Sequence, residues 1–191
     1  MDNFNFFALA ARMKYINRWG LMRNTNPESI GQHSLDTAII AHGLAVINNT
    51  VFGGNISPER AAAAAMFHDI SEIITGDMPT PIKYYNKDII NAYKEIEHRA
   101  AESILEKLPE NMRSLYRELI ECKDTEICAF VKAADKISAY IKCIEEENAG
   151  NREFKKAKES ILKSIESMNI PEADYFMEKF IPAFYLTLDE I

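Results

Sequence analysis

The chain has 191 residues, with 22 Lys and Arg against 29 Asp and Glu and a formal charge of −7. That length suits one domain, residues 1–191, with a sizeable core. The acidic balance disfavours broad contact with a nucleic acid polymer, leaving small anions as ligands where a cation is placed locally.

No run approaches the roughly 18 apolar residues of a membrane span, so no membrane partner is expected. The apolar piece at 4–13 follows Asp2 and Asn3 and lacks the basic region and cleavage site of a signal peptide, so the expected place is the cytoplasm. Cys122, Cys128 and Cys143 are odd in number and without CxxC spacing, which reads as reduced, semi-buried thiols.

The first helix is expected over 4–17, with Phe6, Phe7, Leu9, Ala10 and Met13 at helical spacing. A polar loop, RNTNPESIGQ, is broken by Pro27 and Gly31 and delivers His33 to the mouth of a second helix. Its inward stripe is read as Leu35, Ile39, His42 and Val46. Ser57 and Pro58 read as an N-cap and first-turn proline, although Arg60 stands where a capping box wants an acid or amide. A third helix is expected over 58–75, ended by Gly76 and followed by the stiff loop DMPTP. A fourth spans 88–108, with the series Ile89, Tyr93, Ile96, Ala100, Ile104 and Leu108, and stops at Pro109.

Helices are then expected at 113–122 and 124–148, the latter ended by Gly150. Two more follow at 153–168 and 173–186, parted by Pro171, with the last kinked or cut short at Pro182. The acidic run 145–148 reads as a solvated face. No alternating strand pattern occurs, and the chain is read as all-α.

Chemistry concentrates in MFHDISEIITGDMPTP. On one helix, His68 and Glu72 stand a turn apart and Asp69 lies at the rim of their face. Asp135 sits four residues after Val131 on an apolar stripe that continues through Ser138 and Ile141. A buried acid there needs a partner, which Lys132 or Lys136 could supply, or a metal shared with His68 and Asp69. His42 reads as packing or rim, and His98 as a solvated helix residue.

The ordered set of an upstream His, an HD pair in a second helix and a distal Asp in a long helix resembles the HD-domain metal-dependent phosphohydrolases. NRWGLMRN, the surroundings of QHS, HDISEIITGDMPTPIKYYN, AYIKCIEEE and DYFMEKFIPAFYLTLDE resemble the bacterial HD-domain 5'-deoxynucleotidases across nearly the whole chain. The resemblance implies an HD-domain helical bundle that hydrolyses deoxyribonucleoside 5'-monophosphates. It implies one transition ion, such as cobalt or manganese, on His33, His68, Asp69 and Asp135, with Glu72 as an acidic residue required for catalysis, to position the water or to pass a proton to the leaving 5'-oxygen. It also implies Arg18 orienting the phosphate, Trp19 against the sugar, a substrate loop of Asp77, Met78, Pro79 and Thr80, and a homodimer. Among the ligands, His33, Asp69 and Asp135 would also face the substrate.

One departure is Gln32, where a Glu is expected, which bears on the tuning of His33. The sequence offers as a dimer surface only aromatic residues near Tyr175, Phe176 and Phe180, which read equally well as core. Two other readings stay open: an HD hydrolase of a triphosphate, cyclic nucleotide or guanosine alarmone, and a non-catalytic nucleotide-binding HD module.

Overall fold

The computed structural model describes residues 4–83 and 85–191, so Asp2, Asn3 and Tyr84 of the quoted stretches lie outside it. Among the described residues every named element is helical: α1 Phe6–Ala10, α2 Ile30–Val51, α3 Pro58–Phe67, α4 Glu72–Thr75, α5 Thr80–Lys83, α6 Lys87–Leu105, α7 Glu110–Glu121, α8 Thr125–Asn148, α9 Lys155–Ser167 and α10 Pro171–Lys179. The all-α reading holds.

Packing centres on α2, α3 and α8. Their mutual faces are rich in alanine: Ala38, Ala41 and Ala45 on α2, Ala61, Ala64 and Ala65 on α3, and Ala133 and Ala134 on α8, all buried. Small side chains let helix axes approach to the short end of the usual 8–10 Å. Larger groups, including Ile40, Leu44, Phe130, Ile137 and Ile144, fill the same core, and α9 and α10 close it through Ile165 and Ala173. A second cluster joins Phe6 and Met13 to Ile30, Ile70, Ile104, Leu105 and Leu108.

The N-terminal segment differs from the expected helix over 4–17. It is α1 followed by a 3-10 turn, Ala11–Tyr15, and an isolated antiparallel bridge pairs Asn17 with Ser29. Gly31 explains how this segment seats: a Cβ there would lie 3.2 Å from the Lys14 backbone nitrogen.

The inward stripe expected on α2 is corrected. Leu35, Ile39, His42 and Val46 all face outward, and the buried face is Ile30, His33, Ser34, Thr37, Ala38, Ala41, Leu44 and Ala45. Both sets keep helical spacing, and a helix apolar on both sides gives no periodicity by which to choose between them.

The third helix is also shorter than expected. It ends at Phe67, and residues 68–71 continue as a tight turn with bonds from Ile70 N to Phe67 O, 3.1 Å, and Glu72 N to Asp69 O, 3.0 Å. His68 and Glu72 therefore belong to different elements. Ser57 caps α3 as read, accepting from Arg60 N at 3.1 Å.

On α6, Tyr93, Ala100 and Ile104 are buried, but Ile89 and Ile96 are exposed. Tyr175 and Phe176 are half-buried against the main core, with Phe180 exposed. The last helix stops before Pro182, where a 3-10 turn, Ile181–Tyr185, begins. Glu146 contradicts the solvated reading of 145–148, for it is fully buried.

Candidate functional site

The capping box at the start of α2 fixes the first turn: Ser29 accepts from Gln32 N at 3.2 Å, and Gln32 Oε1 accepts from Ser29 N at 2.9 Å. Gln32 is exposed and spent on this cap, so its side chain acts at the helix terminus rather than on His33. His33 follows, fully buried, with Nδ1 3.0 Å from Ser138 Oγ on α8. With Ser138 accepting from Nδ1, the lone pair of Nε2 points at carboxylates: Asp135 Oδ1 at 3.1 Å and Asp69 Oδ2 at 3.6 Å.

At the end of α3, His68 Nδ1 donates to the Ala65 carbonyl at 2.7 Å. That leaves its Nε2 3.1 Å from Asp69 Oδ2, buried and making no hydrogen bond. Atoms of His33, His68 and Asp135 lie within 4.8 Å of one another. Lone pairs facing carboxylates at these distances repel unless a proton or a metal ion lies among them. Two imidazoles and two carboxylates are a donor set that fits a divalent transition ion, and Ser138 and Ala65 fix the ring orientations as outer partners of metal-bound histidines do.

Without an ion, the electrostatics put a proton on His68, where an ion would otherwise balance the aspartates. Burial, with Arg18 nearby, lowers the pKa of His33 and keeps the ring neutral. Burial also opposes charge on His68, but Asp69 and then Asp135 override it and raise the ring to about 9. The two aspartates stay ionised although burial opposes them, Asp69 because of His68 and Asp135 because of His33 and Lys136. Lys136 does pair with Asp135, Nζ to Oδ2 at 3.1 Å, leaving Oδ1 for the cluster.

Glu72 opens α4 beside this cluster, buried, with Oε2 lacking any hydrogen-bond partner. Burial, then Asp69 and Asp77, push its carboxyl up to about 9, against the pull of Lys83. Glu72 is thus a neutral acid at pH 7, before any cation is added.

Arg18 reaches the cluster from the other side, its Nη2 3.8 Å from Asp135 Oδ1. Trp19 adopts a left-handed backbone, φ 61°, which costs a non-glycine residue roughly 1–3 kcal/mol. Its N–H donates to Asp77 Oδ2 at 3.2 Å, which ties the 77–80 loop to the site. Beyond Asp77, Met78 and Pro79 are half-buried and Thr80, at the start of α5, is exposed.

Sequence reading missed Glu28, whose Oε2 accepts from both Arg18 Nη1 at 2.8 Å and Trp19 Nε1 at 2.9 Å. It also missed Ser138 as a partner of His33, and Lys83, which pairs with Glu97 at 2.9 Å near Glu72.

Comparison with known proteins places the chain in a family. The 5'-deoxynucleotidase YfbR-like family model matches residues 5–184. A 5'-deoxynucleotidase of Erwinia tasmaniensis is 50% identical over 193 residues, covering 100% of this chain and 98% of the relative. The 5'-deoxynucleotidase YfbR of Escherichia coli is 47% identical, covering 100% and 97%.

Among solved structures, an HD-domain phosphohydrolase from Listeria innocua shares the fold with a TM-score of 0.82 at 21% identity, over 94% of this chain and 88% of that one. The HD phosphohydrolase of cyanophage S-2L, solved with dA and one catalytic Zn2+ ion, aligns with a TM-score of 0.67 at 19% identity over 94% and 96%. With the helical bundle, the His, His-Asp and Asp convergence and a match along nearly its whole length, the chain belongs to the YfbR-like 5'-deoxynucleotidase family.

Proposed function

We propose that the chain hydrolyses deoxyribonucleoside 5'-monophosphates to the deoxyribonucleoside and phosphate, using one divalent transition ion, cobalt or manganese, held by His33, His68, Asp69 and Asp135. The observation that carries this reading is the buried Nε2 of His68, without a hydrogen-bond partner beside two ionised aspartates and a second imidazole. A bound ion supplies charge neutralisation for the phosphate and a water of lowered pKa.

The chain's own groups supply the rest. Arg18, its Nη1 held by Glu28, presents its Nη2 arm toward the cluster as a fixed cationic donor for phosphate oxygen. Trp19, locked in a strained backbone, offers its ring as a wall for the sugar, and the 77–80 loop closes beside it through Asp77. In hydrolysis an oxygen from water bonds to phosphorus, the bond from phosphorus to the 5'-oxygen breaks, and that oxygen takes a proton. Glu72, buried beside the cluster with an unpartnered oxygen, is assigned to give it, and regains a proton from the attacking water.

The test is phosphate release from paired deoxyribo- and ribonucleoside 5'-monophosphates, with chelated protein and protein reloaded with cobalt or manganese. Metal-dependent release favouring the deoxy member is expected. No phosphate with any metal, while nucleotide still binds, sinks the reading; pyrophosphate or triphosphate from a triphosphate substrate redirects it.

No helix in the described residues is long and apolar enough to cross a membrane. A cytoplasmic setting is supported by the free thiols of Cys122, Cys128 and Cys143. A homodimer is supported less by Tyr175 and Phe176, which are half-buried, than by Leu35 at 58% and Ile39 at 63% exposure on the outer face of α2. Light scattering should give twice the chain mass, and Ile39→Asp should shift it toward the monomer. A native monomer at working concentration removes the dimer.

A further inference from the structure

We propose that Glu28 is a positioning residue that fixes Arg18 and Trp19 as one unit, coupling phosphate orientation to sugar discrimination. The inference rests on the reading of Arg18 and Trp19 as substrate-facing groups.

The local backbone makes the contact. Arg18 N donates to the Glu28 carbonyl at 2.9 Å and Ile30 N to the Ile16 carbonyl at 2.8 Å, so the chain on either side of the 19–27 loop runs as a short antiparallel pair. Glu28 thereby stands opposite Arg18, immediately before the Ser29 cap of α2, and is 8% exposed. A carboxylate this buried needs strong donors, and the two it has are the Arg18 guanidinium and the Trp19 indole N–H, both on the same oxygen.

Each restraint has a distinct consequence. Holding Nη1 on Glu28 fixes the plane of the guanidinium and leaves Nη2 aimed at the cluster, 3.8 Å from Asp135 Oδ1. Arg18 lies beside two carboxylates, Glu28 and Asp135. Without Glu28 the guanidinium swings fully onto Asp135 and competes for a candidate metal ligand instead of waiting for phosphate. For Trp19, the indole is held at its nitrogen by Glu28 and against its ring by the edge of Phe154, with centroids 5.2 Å apart, while the Arg18 guanidinium carbon sits 5.6 Å from the ring centroid.

Ring and guanidinium share one anchor, so a shift of either moves both. A loop staple of purely structural purpose has no need to bind the two substrate-facing side chains through one oxygen atom. Backbone pairing already holds this segment at Arg18 and Ile30.

The test compares the metal-loaded native chain with Glu28→Gln and Glu28→Asp. Glu28→Gln keeps the shape and one acceptor oxygen but removes the charge that assists both bonds; Glu28→Asp keeps the charge but falls one methylene short of reaching both donors. A charge-assisted hydrogen bond lost at a binding group weakens its interaction by about 10- to 100-fold. The expected result is therefore a rise in KM of that order and a fall in the deoxy-to-ribo ratio of kcat/KM, with Glu28→Asp intermediate.

Trp19 is the chain's single tryptophan, so its emission reports the contact without turnover, and a shifted maximum is expected in Glu28→Gln. An unchanged deoxy-to-ribo ratio, or a loss confined to kcat and equal for both sugars, overturns the proposal. If the native chain releases no phosphate from any nucleoside monophosphate, the functional reading fails instead. Glu28 is then judged by emission alone, where an unchanged maximum overturns the contact itself. Should Glu28→Gln fail to fold, Glu28→Asp carries the same comparison.

Discussion

Replacing Glu72 by Gln is expected to lower kcat by about 100- to 10,000-fold, the range that a positioned proton donor supplies, with metal binding and the fold retained. Gln matches the size of the acid and can still donate a hydrogen bond, so the loss isolates the transferable proton. Burial, with Asp69 and Asp77 close by, pushes this carboxyl up to about 9 in the metal-free chain, which favours its protonated form. A bound cation pulls that value down, so the rate is expected to decline with rising pH along a limb at or below about 9, and the limb is expected to vanish in Glu72→Gln.

The alternative job for Glu72 is to position the attacking water. An analogue whose bridging 5'-oxygen is replaced by sulfur separates the two, because a thiolate leaves without needing a proton. Near-native turnover of that analogue by Glu72→Gln identifies a proton donor; a loss as large as with the oxygen substrate identifies a water-positioning role.

The parts of this protein legible in its sequence are those whose signal is local. Ser57 followed by Pro58, Gly76 after Thr75 and Pro182 in the last segment each marked a boundary that the structure keeps, because capping and proline geometry are decided within a few residues. The break at His68 was not legible. MFHDISEIIT carries no proline or glycine, and the tight turn that brings Asp69 and His68 beside His33 from another helix has no local signal. Likewise α2 was read inside out: its apolar residues fall on both faces, and only its neighbours α3 and α8 settle which face is buried.

The candidate site residues came together because an HD pair with outlying His and Asp is a pattern in chain order. Glu28 and Ser138 were missed because their significance lies in contacts across 9 and 105 residues that no periodicity encodes.

Glu146 shows the same limit most sharply and carries the second large effect. In sequence it is one acid in an acidic run; in the structure it is fully buried and pairs with Lys142, which is 3% exposed. Its two oxygens also accept from Thr25 N at 2.8 Å, Asn26 N at 3.1 Å and Asn151 Nδ2 at 2.7 Å, while Lys142 donates to the Asn26 carbonyl. The pair therefore clamps the 24–26 loop onto α8, and Asn24, donating to the Trp19 carbonyl at 3.3 Å, carries the restraint on to the candidate substrate wall.

Glu146→Ala leaves a buried ammonium unpaired and is expected to cost about 3–5 kcal/mol, read as a fall in Tm of roughly 6–20 °C for a chain of this size. The double change to Lys142→Met and Glu146→Leu removes both charges and should recover part of that loss, but not all. The Thr25 and Asn26 N–H groups still lose their acceptor.

Acid supplies a second test. Burial works against the Glu146 charge, but Lys142 and the loop donors win and hold its pKa down to about 2 from an ordinary 4.5. A depressed carboxylate contributes stability that is complete above the unfolded value and disappears as pH falls through the folded one, here between about 4.5 and 2 and worth roughly 3 kcal/mol. Native protein should thus lose stability steeply across that window while Glu146→Ala, already without the contribution, changes less. Parallel acid profiles for the two proteins would mean that Glu146 is not held ionised by the clamp, and the loop would then owe its place to α8 packing alone.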